Sequence, residues 1–184
     1  MNFGSIAGSM LGAFGGRAIG GAIGGAPGRM VGSLLGSMVG GRGSRGVGSA
    51  MGGLSGLLGG GDDEKEKAAA EMPDEEAILL IRSMTNAAKA DGEVDDDEIA
   101  AIFSRAGDLD DEAQDFIRAE LKAPLDLDEF INSVPAGMEA DVYTASLLPI
   151  DVDTAAETQY LQDLADGLGI SGDDVAKIHE ALGI

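Results

Sequence analysis

The sequence predicts an all-α protein made of two unlike parts. Seven segments after residue 73 repeat apolar residues at helical spacing, and no segment shows the alternation typical of a strand. Before residue 41, glycine recurs at every fourth position, a spacing typical of helices that pack closely. We therefore predict a glycine-zipper segment over residues 1–61, a charged linker over 62–73 and an acidic helical domain over 74–184.

The glycine row is the first element. Its uninterrupted positions are Gly4, Gly8, Gly12, Gly16, Gly20, Gly24, Gly28, Gly32, Gly36 and Gly40. Collagen needs glycine at every third residue, so a period of four indicates helices in contact along a groove of small residues. Glycine costs roughly 1 kcal/mol relative to alanine inside a helix, which packing has to offset. We predict that these glycines are helix-packing positions in a homo-oligomer or a higher assembly.

The row also turns around the helix, because four residues advance a helix by about 400°. One straight partner helix does not follow such a row. Pro27 is the natural break, since the residue before a proline is pushed out of the helical region. The segment predicts either a hairpin folded at residues 26–28 or a helix contacted on several sides.

The sequence leaves open whether this segment lies in a membrane, on a membrane or in water. Residues 2–25 would form a helix about 36 Å long, enough to cross a bilayer, and Arg17 is their only charge. Their apolar content is mostly glycine and alanine, which gain little on entering lipid. The interpretations are a zipper in or on a membrane, a zipper for self-assembly in water, and a flexible tail.

The acidic domain follows a linker that has no apolar face. Its first helix places Ala77, Leu80, Ile81 and Met84 on one side. The same spacing predicts helices over residues 74–90, 96–106, 111–122, 126–134, 137–149, 154–168 and 172–182. Their short connections indicate one compact helical domain.

Composition argues against catalysis. The chain has no cysteine and one histidine, His179, so thiolate nucleophiles are excluded and a multi-histidine metal site or a Ser–His triad is hard to build. The glycines lack the lysine of a phosphate-binding loop. We expect a protein that is not an enzyme.

Charge separates the two parts. Residues 62–184 contain all 33 acids and 8 of the 12 basic residues, a net charge of −25, whereas residues 1–61 contain four arginines and no acid. A strongly acidic surface repels nucleic acid, so we expect no nucleic-acid partner. The basic N-terminal part is compatible with membrane lipid.

Two acidic junctions connect helices, over residues 90–98 and 150–157. Asp95 with Glu98, and Thr154 with Glu157, have the spacing of a capping box, in which acids stabilise a helix start. Carboxylates at this density are also oxygen ligands for a hard cation. Two interpretations follow. The acids form either a capped, solvated face that needs no cofactor or a site for Ca²⁺ or Mg²⁺.

Three stretches carry a family resemblance: NAAKADGEVDDDE at 86–98, PLDL at 124–127 and VYTASLLPIDVDT at 142–154. Together they resemble the YebE-type family of uncharacterised bacterial inner-membrane proteins, whose C-terminal part is related to the tellurite-resistance protein TerB. The resemblance covers about residues 74–184 and implies a TerB-like helical fold, an acidic surface proposed to bind metal and no established enzymatic activity. The acids at the matching positions are Asp91, Asp95, Glu98, Asp151, Asp153 and Glu157.

These observations lead to an expected function with one alternative. The first is a non-enzymatic, membrane-associated scaffold or stress-related protein at the bacterial inner membrane, which self-assembles through its glycines and displays the acidic domains. The alternative is a soluble, cytoplasmic adaptor or divalent-cation-binding module whose glycine-rich part is a tail or a filament-forming segment.

Overall fold

The computed structural model describes residues 2–20, 71–92, 94, 96–106, 109–149 and 154–183. Within these ranges the chain is helical and contains no strand, which confirms the predicted fold class. The helices are α1 (Phe3–Gly20), α2 (Asp74–Ala88), α3 (Asp96–Ala106), α4 (Asp111–Lys122), α5 (Leu127–Ser133), α6 (Glu139–Leu147), α7 (Ala155–Leu168) and α8 (Gly172–Leu182). The bounds of the seven helices after the linker agree with the sequence prediction to within two residues.

Local capping explains where several helices begin. The Asp110 carboxylate accepts a hydrogen bond from the Ala113 amide at the start of α4, and Asp126 does the same at the start of α5. Ser171 caps α8 through its hydroxyl. At the other end, Gly169 stops α7 in the left-handed conformation, at φ 69°, which glycine adopts without strain.

The core is built around α2. This helix packs against α1, α4 and α6, so it is buried on several sides and not along one stripe. Residues 141–147 of α6 are all buried. The Ser146 hydroxyl of α6 lies 3.4 Å from the Ser83 carbonyl oxygen of α2, while Glu76 and Asp141 meet near the helix starts. The two central helices therefore run parallel, with their N-terminal ends side by side.

Helix α1 packs on the acidic domain, against α2 and α3. Its Ile6, Met10 and Leu11 side chains are at most 4% exposed and belong to the main hydrophobic core. The Phe3 ring meets the Phe116 ring of α4 edge to face, with centroids 5.1 Å apart. The sequence analysis did not predict this contact. The N-terminal helix is thus part of the fold of the acidic domain.

The glycine row lies beside this buried face of α1. Gly4 is buried, Gly8 is half-buried and Ser5 is exposed. The surroundings of Gly12, Gly16 and Gly20 are not described, and the remaining glycines of the row lie outside the described residues. The predicted hairpin at 26–28 and most of the linker also lie outside the described residues. The boundaries at residues 61 and 73 therefore stay predictions.

Membrane crossing was one interpretation of the N-terminal segment. In the ranges that the structure describes, no helix combines the length and the hydropathy that a bilayer span requires.

Candidate functional site

The six acids predicted as cation ligands are placed only in part. Asp91 is exposed in the turn that follows α2, and Glu98 lies in α3. Asp95, Asp151 and Asp153 lie outside the described residues. In the described part of the chain, no three Asp, Glu or His side chains are grouped so as to hold a metal ion. The Ca²⁺ or Mg²⁺ site remains a prediction.

Glu157 has a structural role at the second junction. One of its carboxylate oxygens accepts hydrogen bonds from the Thr154 amide at 3.0 Å and from the Thr154 hydroxyl at 2.9 Å. The Thr154 hydroxyl in turn accepts one from the Glu157 amide at 3.1 Å. This reciprocal capping box confirms the capping interpretation for that junction.

Two of the stretches that carry the family resemblance meet in space. An open cleft of about 660 Å³ lies between the end of α2, the start of α3 and the loop after α4. Gly92 and Val94 line one side, and Pro124 and Leu125 line the other. Leu125 is 37% exposed. The first and second stretches therefore form one surface feature, although they are 25 residues apart in the chain.

Lys89 lies at the base of this cleft and is only 8% exposed. Its ammonium group donates to the carbonyl oxygens of Glu120 at 2.8 Å and Ala123 at 3.0 Å, at the C-terminal end of α4. A cation there also interacts favourably with the helix dipole. Burial lowers the pKa of Lys89, and the nearby Glu120 carboxylate opposes that shift. Lys89 therefore connects the end of α2 to the end of α4 through hydrogen bonds. This role was not predicted from the sequence.

Replacing Lys89 by Met is expected to destabilise the protein by about 1–3 kcal/mol, because two carbonyl groups lose their charged donor. Urea unfolding followed by circular dichroism measures the change. The matched control is Lys122→Met, whose side chain is 57% exposed and lies 3.5 Å from Asp96. That control should change stability by less than about 0.5 kcal/mol; equal effects of the two substitutions would contradict the assigned role of Lys89.

A second chemical feature lies where α2 and α6 begin. Asp141 is 2% exposed, and neither of its carboxylate oxygens has a hydrogen-bond partner among the described residues. Burial raises the pKa of Asp141 to about 7, and the carboxylates of Glu76 and Glu139 add to the shift. Burial also raises the pKa of Glu76. The site therefore holds a proton on Asp141 up to neutral pH.

The signal for Asp141 was present in the sequence. It is the one acid in the stretch from Ala140 to Leu148, which is otherwise free of charged residues. A helix that is apolar on all sides is typically buried, and an acid within it is buried too. The predicted cation ligands come from the two acidic junctions, and Asp141 lies in neither of them.

The only histidine pairs with a tyrosine on the other side of α6. The Tyr143 hydroxyl lies 3.0 Å from Nε2 of His179, and the two rings stack at a centroid distance of 6.0 Å. Burial lowers the pKa of His179. Tyr143 lies two residues after Asp141, which places it about 160° away around the helix. The pair therefore joins α8 to α6 and does not combine with Asp141 into one site.

Comparison with known proteins identifies one family. Residues 2–182 match the family described as "Protein of unknown function (DUF533)". The matched range includes both the glycine-rich segment and the acidic domain. No match was found among curated proteins or among solved structures.

Proposed function

Because the chain belongs to the DUF533 family of proteins of unknown function, its role has to be argued from its own residues, and we propose that it is a non-enzymatic scaffold. In this proposal the protein self-associates through its glycine row and displays the acidic domain to water. The orientation of α1 carries the proposal. Its large apolar side chains face the acidic domain, while helical periodicity turns each successive glycine of the row further round the helix from that face.

Helical geometry makes this orientation specific. Gly4 lies at the edge of the face that contains Ala7 and Leu11, and it is buried. Gly8 lies about 40° further round and is half-buried, and each later glycine moves about another 40°. The large side chains thus hold the helix in place, and by this periodicity the later glycines fall on its other faces, where small residues would let a second copy approach closely.

The family resemblance is the reason that this proposal includes a TerB-like fold and a location at the bacterial inner membrane. The docked face of α1 supports association at a membrane surface over crossing by α1, because that face packs against protein. The arginines of the first 61 residues suit anionic headgroups, from which the net charge of −25 on the remaining chain is repelled.

The alternative function is a soluble adaptor or cation-binding module. Its supporting observation is the same docking of α1, which makes the N-terminal helix part of a water-facing domain. The two functions differ in what the glycines do. In the scaffold they hold copies together, and in the adaptor they have no intermolecular contact.

Sedimentation velocity on the full chain, with and without a mild detergent, tests the scaffold. We expect a high-mass species that the double change Gly32→Leu and Gly36→Leu converts to smaller species, because leucine prevents close backbone approach. The matched control changes Ser33 and Ser37 to Leu, which adds the same two side chains beside the row. Both pairs lie after Gly20 in the chain, so neither changes a residue of α1.

Two outcomes would contradict the scaffold. The wild-type chain could sediment as a monomer in buffer without detergent, which would favour the adaptor. Alternatively, the serine control could disperse the assembly as fully as the glycine variant, which would mean that the glycine register has no special role. Flotation with vesicles of phosphatidylethanolamine and phosphatidylglycerol then separates association at a membrane from association in water.

A further inference from the structure

Asp141 is the one acid among the described residues whose side chain is buried. Its carboxyl group lies between two parallel helices, is 98% shielded from water and makes no hydrogen bond. A buried ionised carboxylate requires a cation or several donors, and without them it takes up a proton. Among the described residues no basic group or hydrogen-bond donor pairs with this carboxyl, so the packed arrangement favours the protonated form.

The groups that face Asp141 strengthen this preference. On α6 itself Glu139 is half-buried, with one oxygen accepting from the Gly137 amide at 2.8 Å. Helix α2 contributes Glu76, and both acids act electrostatically on Asp141. Helix α7, which also packs on α6, contributes the buried Tyr160 hydroxyl, but this group interacts with Ser146 and is not among those that act on Asp141. From α8, His179 is engaged by Tyr143 on the far side of α6.

The basic side chains of α2 are engaged elsewhere. Both Nε and Nη2 of Arg82 donate to Oε1 of Glu120 at 3.1 Å, and Nε also lies 3.2 Å from Oε2. Lys89 donates to carbonyl groups at the end of α4. Arg82 lies further along α2 than Glu76, and Lys89 directly follows the end of the helix, so both lie toward the opposite end of the parallel pair. The described basic residues of α2 therefore do not neutralise Asp141.

We propose that Asp141 is the centre of a proton-operated switch between α2 and α6. With the carboxyl protonated, the first turns of the two helices pack together as observed. When the proton leaves to water, the carboxylate gains a negative charge beside Glu76 and Glu139, and the two helix ends separate to hydrate it.

The location gives this switch a consequence for the whole chain. The start of α2 is where the chain arrives from the linker, and Met72 immediately before it is buried in the core. Helix α2 is also the helix on which α1 docks. Separation of the α2 and α6 ends therefore loosens the region that connects the glycine-rich segment to the acidic domain.

Amide hydrogen exchange of the full chain, read by mass spectrometry and corrected for the intrinsic pH dependence, tests the switch. Peptides from 77–83 and 141–147 should show an opening constant that rises about tenfold per pH unit between about pH 5 and 7 and then levels off. Peptides from α4 should not follow this rise. Asp141→Asn, which keeps the shape without the charge, should make the profile flat.

Two further variants test whether the pH dependence belongs to Asp141. Glu76→Gln removes one of the acids that act on Asp141, so the plateau should be reached at lower pH. Asp128→Asn, an exposed acid on α5, should leave the profile unchanged. The proposal is overturned by a flat wild-type profile, by a rise that persists in Asp141→Asn, or by a rise of equal size in all helices, which would assign Asp141 to global stability alone.

Discussion

Replacing Met10 by Asp is expected to lower the free energy of unfolding by at least about 3 kcal/mol, although Met10 belongs to the glycine-rich segment. The Met10 side chain is 1% exposed and lies in the same core cluster as Leu80 and Met84 of α2. Truncating a buried methionine alone costs about 2–5 kcal/mol, and an unpaired buried charge adds to that. The variant should also bind more of a hydrophobic dye, because undocking α1 uncovers the core.

The control for this prediction is Ser5→Asp. Ser5 is exposed on the same helix, and an acid in the first turn of a helix is mildly stabilising. Both variants add one negative charge to the same segment, so the difference between them reports burial and not charge. Urea unfolding at one fixed protein concentration measures it. Equal stabilities of the two variants would mean that α1 contributes nothing to the acidic domain.

The Asp141→Asn variant is expected to be more stable than the wild type at pH 8, by about 2–4 kcal/mol. Asp141 has a pKa of about 7 in the folded protein and an ordinary value of 3.8 otherwise. Because the folded pKa is raised, the wild-type stability is fully present below about pH 4 and is lost as the pH rises to 7. Asparagine has no proton to lose and avoids the loss.

The sign and range of this effect can be measured directly. The advantage of the variant should shrink by about 1.4 kcal/mol for each unit that the pH is lowered from 7 toward 5. Burial of His179 acts in the opposite direction, since a lowered pKa removes stability as the pH falls. That contribution is common to both proteins and cancels in the difference. An advantage that does not change with pH would contradict the buried, protonated Asp141.

The helices of the acidic domain were predictable because they repeat apolar residues at helical spacing and several of them start at a side-chain cap. Asp110, Asp126 and Ser171 cap their helices through ordinary local hydrogen bonds, which the sequence carries within three residues. Thr154 with Glu157 was predicted as a capping box and is confirmed. Such information is local, so a pattern of residues is sufficient for it.

The docking of α1 and the burial of Asp141 depend on contacts between distant parts of the chain. The first segment was interpreted from its glycine period alone. Phe3, Ile6 and Met10 form a separate apolar stripe at helical spacing, and that stripe was not used to predict a contact. Lys89 and Asp141 carry charges that are usually solvated, and only the packing of α4 and α6 on α2 buries them. The apolar stretch around Asp141 indicates that this residue is buried, but it does not show which helices bury it.

The central claim is that the N-terminal helix belongs to the fold of the acidic domain, with Ile6, Met10 and Leu11 in the shared core. Nuclear Overhauser contacts between the ring protons of Phe3 and Phe116 test it most directly, since the ring centroids are 5.1 Å apart and the chain has only five phenylalanines to assign. A sample that mixes labelled and unlabelled chains separates contacts within a chain from contacts between chains. The account predicts a cross-peak within one chain. Assigned rings without a cross-peak, or one seen only between chains, would contradict it.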